Sequence, residues 1–444
     1  MRKTKILVTL GPSLENKLDK AVNLIDGVRF NMSHATTDYC EKFLNILEKN
    51  NIAKVMDLKG IKIRVKKVRL KNKILKKGEK VVIGEDIKFN YNIDTIEEEH
   101  YILINDGKIK LKVLEKNDDK IIAIVEVGGE IREGMGVNLP DTKIELPIID
   151  EIDLENIKFA VEKDFEYIAL SFVRNKEDVK ELKDIIAEYK GGCEVISKIE
   201  TREGLKNIKE IARESDGVMV ARGDLGVEIP IENIPIEQKK ILRIANRYGI
   251  LSITATQILD SMVYNPFPTR AEVTDIANAI YDGTDCLMLS NETTIGKYPI
   301  EAIKVLNKVA EMADKHYEEF GDIVCLEVES IDEGLVYAVY ELYKKLNTEL
   351  IIAPTYSGRT AKLISKLRIN SKIIAPTPNL KTLKKLRLVW GVESCLMKEF
   401  DNVESIINAC REIARKEIEK GIYLITLGHP IGKKKTNTIK VESI

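Results

Sequence analysis

Two carboxylates and a lysine give the strongest chemical signal in this chain. Glu200 closes the run VISKIE at 195–200, and Lys198 precedes it by two residues. In an extended strand that spacing puts both side chains on one face. Asp224 lies in VMVARGDLGVEI at 218–229, with Gly223 before it and Gly226 two residues after. The two runs predict neighbouring strands, each with a carboxylate at its end. Two carboxylates, a lysine and bare glycine backbone suit a magnesium ion holding an anionic substrate. Mg²⁺ takes oxygen ligands, commonly one or two carboxylates plus substrate oxygens.

Such groups need a scaffold that brings strand ends together. Short β-type runs occur at 6–10, 28–32, 54–58, 167–172, 194–200, 217–221, 252–257 and 286–290. Helical patterns follow, for instance at 37–50, 176–189, 236–248 and 270–281. The last begins behind a capping box, Thr269 with Glu272 three residues on. Eightfold strand–helix alternation predicts an α/β fold, a (β/α)8 TIM barrel. Roughly ninety residues separate the third strand from its helix, far beyond an ordinary loop. That stretch is β-rich, with hairpin-type Asn-Asp-Gly and Asn-Asp-Asp turns. It predicts a small inserted β-barrel lid domain over 65–146, splitting the catalytic barrel into 1–64 and 147–330. From 331 to 444, runs such as LIIAPTYSGRTAKLISKL predict a C-terminal parallel α/β regulatory or assembly domain. No internal repeat stands out.

The chain has 444 residues, 70 Lys+Arg against 71 Asp+Glu, and a net charge of -1. That balance argues against nucleic acid or a membrane surface as partner. No apolar run reaches membrane-spanning length, and 6–10 is too short for a signal-peptide core. The six cysteines show no CxxC spacing, which fits reduced thiols in a cytoplasmic protein rather than a zinc site. Only two glutamines, Gln238 and Gln257, and 32% charged residues lean toward a heat-stable protein.

Barrel active sites form at the C-terminal strand ends. The predicted ends deliver Thr9, Gly11 and Pro12; Arg29, Asn31, Ser33 and His34; Asp57, Lys59, Lys62 and Arg64; Lys198 and Glu200; Arg222, Gly223 and Asp224; Thr256 and Gln257; Ser290 and Glu292. With these residues in place, the chain resembles the pyruvate kinases. The matching segments include RKTKILVTLGPS, VRFNMSH, MDLKGIKIR, VNLP, SKIE, DGVMVARGDLGVEIP, ITATQILDSM, NPFPTRAEVTDIANAIYDGTD, LMLSNET and PTYSGRTA, in the family's order and across nearly the whole chain.

The resemblance implies phosphoryl transfer from phosphoenolpyruvate to ADP, giving pyruvate and ATP. It gives Glu200 and Asp224 to Mg²⁺, and Lys198 to charge developing on the phosphoryl and enolate oxygens. Arg29 faces the phosphoryl group. Gly223, Asp224 and Thr256 face the substrate carboxylate, and Pro12, Asn31, His34 and Arg64 face the nucleotide. Thr256 and Ser290 organise a water chain that protonates the enolate. A structural hinge role competes for Arg64, and an ordinary structural role for His34. The family pattern further implies a homotetramer and a phosphorylated allosteric effector held by Thr355, Ser357, Gly358, Arg359 and Thr360. A plain strand-to-helix turn is the competing reading there. The effector's second half would lie at Lys433, Lys434 and Lys435, where a solvated loop competes.

Departures from the pattern are informative. Many members bind K⁺ through side chains matching Asn31, Ser33 and Asp57 and the carbonyl matching Leu58, and carry glutamate where this chain has Lys62. The expectation is an enzyme that needs Mg²⁺ but not K⁺, with the Lys62 ammonium supplying the charge; a lysine pointing to solvent is the rival. Ile295 and Met135 replace lysines often found near the nucleotide. Two other readings compete, a metal-dependent aldolase or lyase acting on 2-oxo acids, and a regulatory protein that keeps the fold without catalysis.

Overall fold

The computed structural model describes residues 2–70, 73–117, 120–321, 328, 330–399, 402–428 and 436–444. Lys433, Lys434 and Lys435 therefore lie outside the described residues. Eight parallel strands close a barrel: β1 (Lys5–Thr9), β2 (Gly27–Asn31), β3 (Ala53–Asp57), β4 (Tyr167–Leu170), β5 (Glu194–Ile199), β6 (Gly217–Ala221), β7 (Leu251–Ala255) and β8 (Cys286–Leu289). Neighbours in the barrel are neighbours in sequence, with β8 closing onto β1.

Alternation along each strand sorts the side chains. Ile6, Val8, Val28 and Ile168 face the surrounding helices and join the large outer core. Leu7, Val55, Tyr167, Ala169, Ile196, Met219, Ile253 and Met288 fill the interior. The same inward register, continued toward the C-terminal ends, reaches Thr9, Arg29, Asp57, Ser171 and Lys198. One face of each strand thus runs from apolar core to polar site.

The predicted capping box is present at Thr269 and Glu272. β6 stops at Ala221, the bound read from the sequence, and Asp224 lies beyond it in a short helix that was not foreseen, α2 (Arg222–Glu228). A shorter helix, α1 (Arg202–Lys206), follows β5 and is capped by the Thr201 hydroxyl.

A fourfold repeat also emerges, which the sequence reading missed. One residue before β2, β4, β6 and β8 stands a carboxylate: Asp26, Glu166, Asp216 and Asp285. Each accepts a hydrogen bond from the second amide of the preceding strand, at Ile6, Lys54, Val195 and Ser252, over 2.7–2.9 Å.

Between β3 and the helix Glu151–Glu162, a seven-stranded sheet has its own apolar core around Val81, Ile104, Leu111 and Val125. Its two ends meet through the bridge Arg64–Gly136. A third unit holds a five-stranded sheet, parallel except for the antiparallel edge strand Thr438–Ser443. This unit seats against the N-terminal mouth of the barrel. Its Leu388 belongs to the barrel's interior core, and its Lys385 carbonyl accepts from the Tyr167 hydroxyl at 2.8 Å. No described helix is long and apolar enough to cross a membrane.

Candidate active site

The C-terminal strand ends converge on Lys198. Its ammonium lies 2.9 Å from Glu200 Oε1, 3.2 Å from Asp57 Oδ1 and 2.8 Å from the Ser171 hydroxyl. Burial alone would lower the Lys198 pKa, but Asp57 and Glu200 outweigh it and hold the group above its ordinary range. Asp57 is shared: its Oδ2 accepts from Arg29 Nε at 2.6 Å. Burial pushes the Asp57 carboxyl up, yet Arg29 and Lys198 together bring it below the usual range. Arg29 is oriented further by Thr9, whose hydroxyl accepts from Nη1 at 2.9 Å and donates to the Leu289 carbonyl at 3.0 Å.

Glu200 has the opposite balance. Its Oε2 accepts from the Phe172 amide at 2.8 Å. Burial raises its pKa, Lys198 opposes, and Asp224 and Asp57 add to the rise. Asp224 and Asp57 thus press on Glu200 despite Lys198, and a divalent cation held between Glu200 and Asp224 would relieve that repulsion. Among the described residues no group of three or more His, Cys, Asp or Glu could hold a metal ion. Two carboxylates would leave most of a Mg²⁺ shell to substrate oxygens and water, as that ion prefers.

Lys62 does not turn to solvent. Its ammonium lies 3.3 Å from Asp224 Oδ1 and 3.7 Å from Asp106 of the inserted domain. Gly136 leaves room for it, since a Cβ there would stand 2.8 Å from Lys62 Cε. Asn31 Oδ1 accepts from the Ser33 amide at 3.2 Å, and the Leu58 carbonyl accepts from Ser171 at 2.8 Å.

The Gly223 amide, expected to face substrate, donates instead to Thr256 Oγ1 at 2.9 Å, leaving the Thr256 hydroxyl proton free to point elsewhere. Thr256 and Gln257 hold positive φ angles of 68° and 53°. That is strained backbone for a β-branched threonine. Arg222 holds it there by donating to both carbonyls, at 2.7 Å and 3.2 Å, while Asp275 grips its other end. Among the described residues the buried Ser290 Oγ has no hydrogen-bond partner. Glu292 is buried and accepts from the Leu259 and Ser290 amides.

On the nucleotide side, Pro12 and His34 are exposed at the rim. Arg64 donates to the Gly134 carbonyl of the inserted domain at 2.8 Å, so its side chain serves the hinge here. Far from this site, Gly358 donates to Thr355, Arg359 pairs with Asp332, and the Thr360 hydroxyl is taken by Thr436. Ser357 is exposed.

Sequence reasoning missed Ser171, Phe172, Asn138 and Glu228. The first two sit in LSFVR at the end of β4, a strand whose end it left out of the site. The others meet only in three dimensions, Asn138 Nδ2 donating to Glu228 Oε1 at 2.8 Å across 90 positions.

Comparison with known proteins agrees with this geometry. A family model described as pyruvate kinase, barrel domain, matches residues 1–303, and one described as pyruvate kinase, alpha/beta domain, matches 333–442. The chain is 90% identical to a pyruvate kinase of Methanocaldococcus jannaschii, over all of this chain and 99% of that one. It is 41% identical to a pyruvate kinase of Thermotoga maritima over 99% of both chains. A pyruvate kinase of Staphylococcus epidermidis is 37% identical over all of this chain and 81% of its own. A barrel with this cluster at its strand ends and likeness along its whole length place the chain in the pyruvate kinase family.

Proposed function

We propose that the chain transfers the phosphoryl group of phosphoenolpyruvate to ADP, giving pyruvate and ATP, with Mg²⁺ as its divalent cation. The observation that carries this reading is the Lys198 ammonium, fixed between Asp57, Glu200 and Ser171 at the mouth of the barrel. Phosphoryl transfer asks a protein mainly for positioning and charge stabilisation. Lys198 stays protonated and presents its charge where the bridging oxygen becomes an enolate. Arg29, aimed by Asp57 and Thr9, offers a guanidinium to the phosphoryl oxygens. Glu200 and Asp224 would hold Mg²⁺, which supplies Lewis acidity and neutralises substrate charge. Thr256 faces the substrate carboxylate with Asp224, while the Gly223 amide holds the Thr256 hydroxyl in place. The unpartnered Ser290 hydroxyl suits a water chain that returns a proton to the enolate. Pro12, Asn31, His34 and Arg64 line the nucleotide side, Arg64 exchanging its hinge contact for the ligand.

The reading includes independence from K⁺. Asp57, a carboxylate of the expected monovalent-cation group, is already paired with Arg29 and Lys198. The Lys62 charge acts on the metal side of the site, against Asp224 and Asp106, and not within the group of Asn31, Ser33, Asp57 and Leu58. It further includes a cytoplasmic homotetramer, supported by exposed Tyr264, Phe267 and Ile231 and by the open edge of Thr438–Ser443. A phosphorylated effector at 355–360 would have to displace the Thr355–Gly358 and Arg359–Asp332 contacts.

The test is pyruvate formation from phosphoenolpyruvate, ADP and Mg²⁺, run in parallel with sodium and with potassium. Equal turnover is expected. Turnover only with potassium would leave the kinase and sink the role of Lys62. No turnover in either would shift the reading to a lyase of 2-oxo acids.

A further inference from the structure

Each carboxylate assigned to the metal is followed, within one helical turn, by a residue that grips the inserted domain. Two residues after Glu200, Arg202 opens α1; its Nη1 pairs with Asp141 Oδ1 at 2.5 Å. Four residues after Asp224, Glu228 closes α2; its Oε1 accepts from Asn138 Nδ2 at 2.8 Å. A four-residue step places Asp224 and Glu228 on the same side of α2. The two grips are also tied together, since Arg202 Nη2 donates to the Glu228 carbonyl at 3.0 Å. Both end on the same four-residue stretch of the inserted domain, 138–141. That stretch is itself anchored to the domain's sheet, because Asn138 pairs with Leu103 and Asp141 accepts from the Tyr101 amide at 3.1 Å. Asn138 and Glu228 are both buried. A third touch lies nearby, where Gly107, in the turn after the strand Tyr101–Ile104, faces Val227 of α2.

Around these pins the packing is not continuous. The inserted domain keeps a core separate from the barrel's. A cavity of about 100 Å³ opens between them, lined by residues including Ile63, Leu139, Ile144, Phe172 and Glu228. Two bodies with separate cores, joined by a few polar pins around a void, can move relative to one another. Arg174, beyond β4, holds the Ile144 and Leu146 carbonyls at the domain's exit, both at 2.9 Å, and Lys62 reaches Asp106, but the pins on 138–141 stand on the two short helices that follow the metal carboxylates.

We propose that Arg202 and Glu228 are positioning residues that couple the seating of the inserted domain to the metal site. When 138–141 is seated, α1 and α2 hold Glu200 and Asp224 in the geometry that takes a divalent cation. When it lifts, the carboxylates lose that alignment. By reciprocity, cation binding must favour the seated lid by the same factor. This inference rests on the assignment of Glu200 and Asp224 to Mg²⁺.

The experiment uses the full chain, with Mg²⁺ alone and no substrate. Calorimetry reads Mg²⁺ affinity, and hydrogen–deuterium exchange reads residues 137–142 with and without the ion. In the parent protein Mg²⁺ slows exchange in that stretch. Glu228→Ala and Arg202→Leu are each expected to weaken Mg²⁺ binding about tenfold, the size of one charge-assisted hydrogen bond, and to erase the effect on exchange. Glu228→Gln keeps an acceptor oxygen for Asn138 and should restore both. Asn138→Ala, made in the lid and away from the carboxylates, should reproduce the loss even if a barrel variant fails to fold. Parental affinity and an intact exchange response in Asn138→Ala and the folded barrel variants would overturn the coupling. So would weaker Mg²⁺ binding with an unchanged exchange response. Pyruvate formation by the parent protein is measured alongside. Its absence would remove the kinase reading without touching the coupling.

Discussion

Lys198 is held by three partners and has little freedom left. Its surroundings do two jobs with one set of charges. Asp57 and Glu200 keep the ammonium protonated, and the ammonium keeps two buried carboxylates tolerable. Removing it therefore costs twice. Lys198→Met should lower kcat by about 10²–10³, the usual loss when one preorganised donor goes. It should also destabilise the fold by about 3–5 kcal/mol, because a buried ionic group loses its partner. Comparing turnover per folded molecule with thermal unfolding separates the two. Thr256 shows a different economy, with strained φ maintained by Arg222 through carbonyls rather than side chains. Arg222→Lys cannot reach both carbonyls and Asp275 at once. It should raise KM for phosphoenolpyruvate more than it changes unfolding temperature.

At the scale of elements, the barrel is built from four strand pairs, each clamped by an acid standing just before its second strand. Asp216→Ala leaves the Val195 amide without its partner and should cost about 1–3 kcal/mol. Urea unfolding would show that loss, with KM values unchanged, since the clamp lies at the end opposite the site. The strands and most helices were legible because their signals are local: two-residue alternation, β-branched runs, the Thr269–Glu272 box. The strand-end residues followed once the barrel was recognised. The acid repeat was visible in principle, as IDGVRF, FEYIAL, SDGVMV and TDCLML. Its residue types vary, however, and its meaning depends on a partner strand some twenty or more residues away. The strand end before Asp224 was legible, but the helix Arg222–Glu228 was not, because its two glycines, Gly223 and Gly226, are poor helix formers. Asn138 and Glu228 gave no sequence signal, since neither hydrogen bond nor burial is set by neighbours in the chain.

For the whole molecule, the decisive interface is ionic as well as apolar. The acids at the foot of the barrel meet cations of the third unit: Asp285 pairs with Lys366 and Arg368, and Glu194 with Lys362 and Lys385. Glu166 is less well matched. Burial lifts its pKa to about 7, although Lys54 and Lys384 oppose the rise. A carboxyl raised in the folded state keeps a proton that the unfolded chain has lost. Stability from this group is present at low pH and falls as pH climbs from about 4.5 to about 7. Glu166→Gln should flatten that slope, which reaches at most about 1.4 kcal/mol per pH unit, in unfolding followed across the window. Leu388 carries a further consequence for synthesis. It completes the barrel's interior, yet it follows the last barrel strand by about a hundred residues. At about 5–20 residues per second, a ribosome needs roughly 5–20 s to cover that distance. Throughout that interval the nascent barrel stands with an open floor, and Asp285 and Glu194 await the lysines and arginine of the third unit, so the vulnerable moment in this protein's life comes before its release.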